Sequence, residues 1–282
     1  LKLLESRNKV RRLNGDRPNF VDMLNAGRED GSSKKINWEP FKSYFELVLR
    51  YIPDHMAAKE LLGYVSYQMG RENKSIDLFK STEEYNSVLF WPNYNLGVIN
   101  FKKGRYQEAC DYLIKAISTN PEVIKKFMLD EIIYKQIFAT ALFDFNLQER
   151  INNAIASSYV LIIASLARLQ QYDKVLFFSA TAMKNKDFPY QAAFYFYSAL
   201  ACLELKQIDK ALLLLSKNIE LDNQNPVAYY YLAQIYKSIG KQEASLSMFK
   251  RYEEVRNKNK DWVIYDQRIQ VRFYWSCWPL PF

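Results

Sequence analysis

Apolar residues in this chain recur at helical spacing, and the resulting blocks themselves repeat. Phe41, Phe45 and Val48 form one apolar stripe, as a single face of an α-helix requires. Ser75, Phe79 and Thr82 stand at the same relative places. Ile132, Ile133, Ile137, Leu142 and Phe143 keep another helical face. Over a longer range, Leu62-Gly63 and Leu96-Gly97 are 34 residues apart, and so are Gly70 and Gly104. A further copy runs from Pro226 through Leu232-Ala233, Tyr236, Gly240-Lys241, Ser245 and Phe249. Another reads Ser198-Ala199, Cys202 and Gln207 to Ala211, ending on Ile219-Glu220-Leu221-Asp222. A fixed period of this size marks a stacked array in which each unit leans on its neighbours to bury its apolar face.

The small and turn-forming residues fall where two antiparallel helices need them. Gly63, Gly97, Ala199 and Ala233 suit a close helix–helix contact, where a bulky side chain would force the helices apart. Gly70 and Gly104 suit the end of a first helix, where a left-handed residue stops it cheaply. Ala109, Ala211 and Ser245 fall where the second helix packs on the first. Asn120-Pro121 and Asn225-Pro226 mark unit ends, with proline at the first helical turn.

This pattern resembles the tetratricopeptide-repeat (TPR) family. The resemblance is fullest over 56–123 and 192–255. It extends to 156–189, where Leu169 to Val175 replaces the glycine and the small second-helix residue. It implies an all-α, right-handed helical solenoid of about five helix-turn-helix repeats, one of them degenerate. The expected organisation is a basic N-terminal helix and loop (1–35), an N-terminal repeat block (36–123) and a degenerate repeat or inserted helix (124–155). A C-terminal repeat block (156–260) and a capping helix with an aromatic tail (261–282) complete it. A cap is expected because the last apolar face of such an array otherwise meets water.

The family also implies a groove lined by the first helices. Its positions here are Tyr64 and Tyr67, then Trp91, Tyr94, Asn95 and Phe101, then Phe196 and Tyr197, then Tyr230 and Gln234. The groove is rich in aromatics, which bury large area at low entropic cost. The resemblance therefore implies a non-catalytic scaffold that takes a peptide or helix of a protein partner. Some relatives grip a chain terminus with a Lys/Asn/Arg clamp. Asn95 matches one clamp position, but Glu60 and Tyr64 stand where lysine and asparagine are expected, which argues against that mode. The alternative is a repeat appendage of a larger membrane-bound enzyme or envelope-assembly complex.

Composition narrows the field further. One histidine, His55, and three scattered cysteines leave too few groups for a Cys/His metal centre or a histidine-based triad. No phosphate-binding glycine loop or nucleophile elbow is present. No enzyme activity and no cofactor are therefore expected. The net charge of +8 comes partly from nine basic against five acidic residues in the first 35. The basic residues elsewhere form only doublets, so nucleic acid is not the expected partner. No stretch reads as a membrane span: the uncharged run Ile151 to Ala167 is interrupted by asparagines and serines. The sequence opens at Leu1 and not at methionine, so a tether to a membrane is expected only if an anchor precedes it. A cytoplasmic setting is otherwise favoured. The run Phe273 to Phe282 reads either as a fold-back cover or as a surface for self-association.

Overall fold

The structure, a computed structural model, describes residues 37–83, 90–131, 133 and 147–271. The basic helix and loop expected over 1–35, much of the degenerate stretch 124–155 and the tail Phe273 to Phe282 lie outside the described residues. Among the described residues all regular structure is helical: twelve α-helices and one 3₁₀ turn.

The helices come in hairpins. A single helix, α1 (Glu39–Tyr51), precedes the pair α2 (Met56–Gln68) and α3 (Glu72–Lys80). The pair α4 (Phe90–Lys102) and α5 (Tyr106–Ile117) follows, then α6 (Pro121–Asp130). Three further pairs are α7 (Leu147–Arg168) with α8 (Tyr172–Met183), α9 (Gln191–Glu204) with α10 (Ile208–Leu221), and α11 (Pro226–Ser238) with α12 (Gln242–Lys258). Helix α7 runs unbroken from Leu147 into the first helix of its pair. It is the one described helix long and apolar enough to cross a membrane, yet 72% of its apolar window is buried within the chain.

Every pair turns in the same way. The N–H of Arg71, Arg105, Gln171, Gln207 and Lys241 donates to the carbonyl five residues back, at 2.7–3.0 Å. This bond closes the end of the first helix and requires a left-handed residue just before the donor. Gly70, Gly104 and Gly240 supply it with φ of +74°, +73° and +77°. Gln170 and Lys206 supply it with φ of 57° and 59°, so the turn survives where the glycine is missing.

The chain divides into two compact units, and the division passes through α4, α5 and α7. In the first, Phe41, Phe45, Leu61, Phe79, Phe90 and Tyr94 are completely or almost completely buried. Gly63 lies so close to Phe79 that a Cβ there would meet the ring at 2.7 Å. In the second unit, a Cβ on Gly97 would meet Leu113 at 2.4 Å. There Ala109, Val175 and Ala211 are fully buried on the second helices. Ser245, at the equivalent place, donates its hydroxyl to the Ala233 carbonyl at 2.9 Å, tying α12 to α11.

The expected C-terminal capping helix does not form over 262–271. The chain there is extended except for the 3₁₀ turn Tyr265–Arg268. The β-branched residues Val263, Ile264, Ile269 and Val271 favour extended backbone. Tyr265, Asp266 and Ile269 are all buried, and the residues that hold them belong to several helices of the second unit. An extended strap reaches such spaced partners better than a helix, which rises only ~1.5 Å per residue.

Candidate functional site

The site lies on the second unit and is built from the first helices of its pairs and from the corner between α10 and α11. Arg168 closes the last turn of α7, where its Nη1 donates to the Ala164 carbonyl at 3.0 Å. Its guanidinium stacks on two rings from the preceding pair, 4.9 Å from the centre of Phe101 and 5.3 Å from that of Tyr106. This packing fixes the direction of a planar, permanently charged group. Helix α9 places Phe196 and Tyr197 beside it. The corner between α10 and α11 adds Asn218, Asp222 and Asn225.

These groups hold a piece of the protein's own chain. Helix α12 ends at Lys258, and after a short turn Trp262 begins an extended strap. Asp266 sits at its centre with a side chain that is 0% exposed. A buried carboxylate is costly unless it is paired and hydrogen-bonded. Here it accepts from Arg168 Nη2 at 2.6 Å and from the Tyr197 hydroxyl at 2.5 Å. Burial, followed by the Asp266 charge, pushes the Tyr197 hydroxyl well above the usual phenol range, so it stays a proton donor.

Tyr265 occupies the neighbouring place. Its hydroxyl donates to Asp222 Oδ2 at 2.8 Å and accepts from Asn218 Nδ2 at 2.9 Å and Asn225 Nδ2 at 3.4 Å. Burial raises its pKa, the two asparagine amides oppose the rise, and the Asp222 charge adds to it. The rings of Phe196 and Tyr265 pack edge to face, 5.8 Å apart. Arg268 lies 5.2 Å over both Trp262 and Tyr265, and Lys102 on α4 donates to Gln270. The strap thus touches side chains from four successive helix pairs.

The residues named from the sequence are distributed unevenly. Phe196 and Tyr197 contact the strap directly. Phe101 is half-buried and steers Arg168. On α11, Tyr230 is 39% exposed and Gln234 is exposed. In the first unit, Tyr64, Trp91, Tyr94 and Asn95 are buried. Trp91 packs on Phe90 and Tyr94, and its Nε1 donates to Met128 Sδ at 3.4 Å. Tyr64 packs edge to face on Trp38. Tyr67 is half-buried. The aromatic wall expected for a partner is largely turned into the interior of that unit. Sequence reasoning missed Arg168, Asn218, Asp222 and Asn225. A repeat template assigns partner contacts to first-helix faces, whereas three of these four lie at a corner.

The two described cysteines are inert by position. Cys110 is buried, its thiol is pushed up to about 11 by that burial, and it donates to the Ile162 carbonyl at 3.8 Å. Cys202 is likewise buried and raised. A thiol so placed is neither a nucleophile nor a ready metal ligand near neutral pH.

Residues 92–123, which span the α4–α5 pair, match the family model described as tetratricopeptide repeat. That pair is a tetratricopeptide repeat. No curated protein matches it. Among solved structures, YrrB, described as a TPR protein with an unusual peptide-binding site, superposes with a TM-score of 0.55 at 14% identity. That likeness covers 78% of this chain and 95% of YrrB. MamA superposes with a TM-score of 0.54 at 14% identity, covering 74% of this chain and 96% of MamA. MamA residues 41 to the end, from Desulfovibrio magneticus RS-1, gives 0.53 at 14% identity, covering 74% and 98%. At such identities the likeness is one of fold. The TPR solenoid itself supports the coarse role of a protein-interaction scaffold.

Proposed function

We propose that this TPR protein is a non-catalytic scaffold that binds an extended peptide of a protein partner on the first-helix face of its second unit. One observation carries the reading. That face already holds nine residues of protein chain, Trp262 to Gln270, through side chains contributed by successive helix pairs. It offers what peptide recognition needs: aromatic walls, a fixed guanidinium and side-chain amides. On α11, Tyr230 and Gln234 remain accessible, with Tyr230 resting on Phe249 and Tyr252 of α12. The buried aromatics of the first unit serve stacking in this reading.

Panning a library of short peptides on the intact chain tests it. Ligands should be recovered whose affinity falls at least about tenfold in the Tyr230→Ala, Gln234→Ala double variant, about 1.4 kcal/mol, with thermal stability retained. Ligands indifferent to that double variant, but sensitive to Leu213→Ala on the exposed side of α10, would overturn it.

A further inference from the structure

We infer that this face selects segments in which a tyrosine is followed directly by an aspartate at the start of a 3₁₀ turn, and that Trp262–Gln270 is a resident occupant which a partner's segment must displace. The inference rests on the peptide-binding reading and names its ligand.

The chemistry of the two subsites sets the selectivity. At the first, a hydroxyl is met by one acceptor, Asp222, and two donors, Asn218 and Asn225. A phenylalanine there would bury the same ring and leave Asp222 Oδ2, and the Asn218 amide, without the hydroxyl each now meets, while Asp222 Oδ1 keeps the Gln224 N–H. A site built to hydrogen-bond a hydroxyl rejects the analogue that lacks it. At the second subsite, Arg168 and the Tyr197 hydroxyl both donate and demand an acceptor with full charge. An asparagine would turn a donor toward them or lose the charge assistance. Tyr265 and Asp266 are the first two residues of the 3₁₀ turn, so the subsites are adjacent along the chain and the order tyrosine then aspartate is fixed.

The resident segment sets the affinity. Only six residues separate Lys258 at the end of α12 from Tyr265. A tether this short gives an effective concentration in the ~mM range. A free peptide with the same contacts competes against that concentration, so its apparent affinity is the intrinsic one multiplied by the fraction of time the site is open. Loosening the resident should restore it.

The test uses the full chain and a fluorescent peptide copying residues 262–270, with light scattering to establish mass. The Asp266→Asn chain should bind the peptide at least about tenfold more tightly than the wild type. The gain should vanish when the peptide's own aspartate is changed to asparagine, or when Arg168→Gln is added to the chain. In the wild type, saturating peptide should accelerate hydrogen exchange within 262–270, a readout that holds even if Asp266→Asn folds poorly. Equal binding of the aspartate and asparagine peptides overturns the inference. So does peptide binding that leaves 262–270 unchanged, or a wild-type dimer that exchanges these segments between copies. Library ligands that bind through Tyr230 and Gln234 while the copy peptide does not bind would sink this inference and leave the peptide-binding reading intact.

Discussion

Gly97 shows how one residue sets the spacing of a helix pair. The ideal Cβ position at this residue lies 2.4 Å from Leu113 Cγ and 2.7 Å from its Cδ2, well inside contact distance. Ala199 holds the same place two repeats later and is fully buried, so a slightly wider pair can house one methyl. Two more carbons cannot be housed in this way. Gly97→Val should cost about 2–3 kcal/mol through overpacking, with the poor helix propensity of valine adding to it. Urea unfolding followed by circular dichroism measures this, and an unchanged midpoint would contradict the close-contact account. Such residues were legible in the sequence because their identity alone limits what can approach them. Arg168 was not. Nothing near it in sequence distinguishes an arginine that stacks on Phe101 and Tyr106 from one that faces water.

At the scale of elements, caps and turns decide where helices begin and end. Asn120 and Asn225 cap α6 and α11, each followed by proline, as the sequence indicates. His55 is a less obvious cap: its Nδ1 accepts from the Ala58 N–H at 3.3 Å at the start of α2. Only an unprotonated Nδ1 can accept. Burial holds the His55 pKa below its usual 6.5, with Glu131, whose Oε1 lies 3.6 Å from Nε2, pulling the other way. The lowered value means the unfolded chain takes up a proton at this residue before the folded one does. The cap is therefore fully present above pH 6.5 and lost as pH falls through the lower folded value. His55→Asn keeps a capping oxygen and removes the titration. Melting temperatures between pH 7 and pH 5 should fall less steeply in that variant than in the wild type, and parallel curves would refute the assignment. His55→Ala should cost about 1 kcal/mol at pH 7. The helix pairs were legible where glycine marks the turn. Those at Gln170 and Lys206 carry the same turn on residues that do not advertise it, because the closing hydrogen bond and the packing of both helices outweigh the ~1–2 kcal/mol of left-handed strain.

At the scale of the whole molecule, the repeat architecture was legible and the use of its last residues was not. A stacked array declares itself through period. The destination of a strap does not, because it depends on contacts such as that between Arg168 and Asp266, 98 residues apart. Read locally, 262–271 offers apolar residues at spacings that a capping helix could also bury. The buried aspartate meets Arg168 and Tyr197 from a 3₁₀ turn set between extended stretches. The first-helix face of the second unit grips the strap through that pair. A double-mutant cycle on stability with Arg168→Ala, Asp266→Ala and the double variant tests it most directly, because it cancels the separate loss of the Arg168 stacking. A favourable coupling of about 1–3 kcal/mol is expected. Additive effects, with no coupling between the two sites, would contradict it.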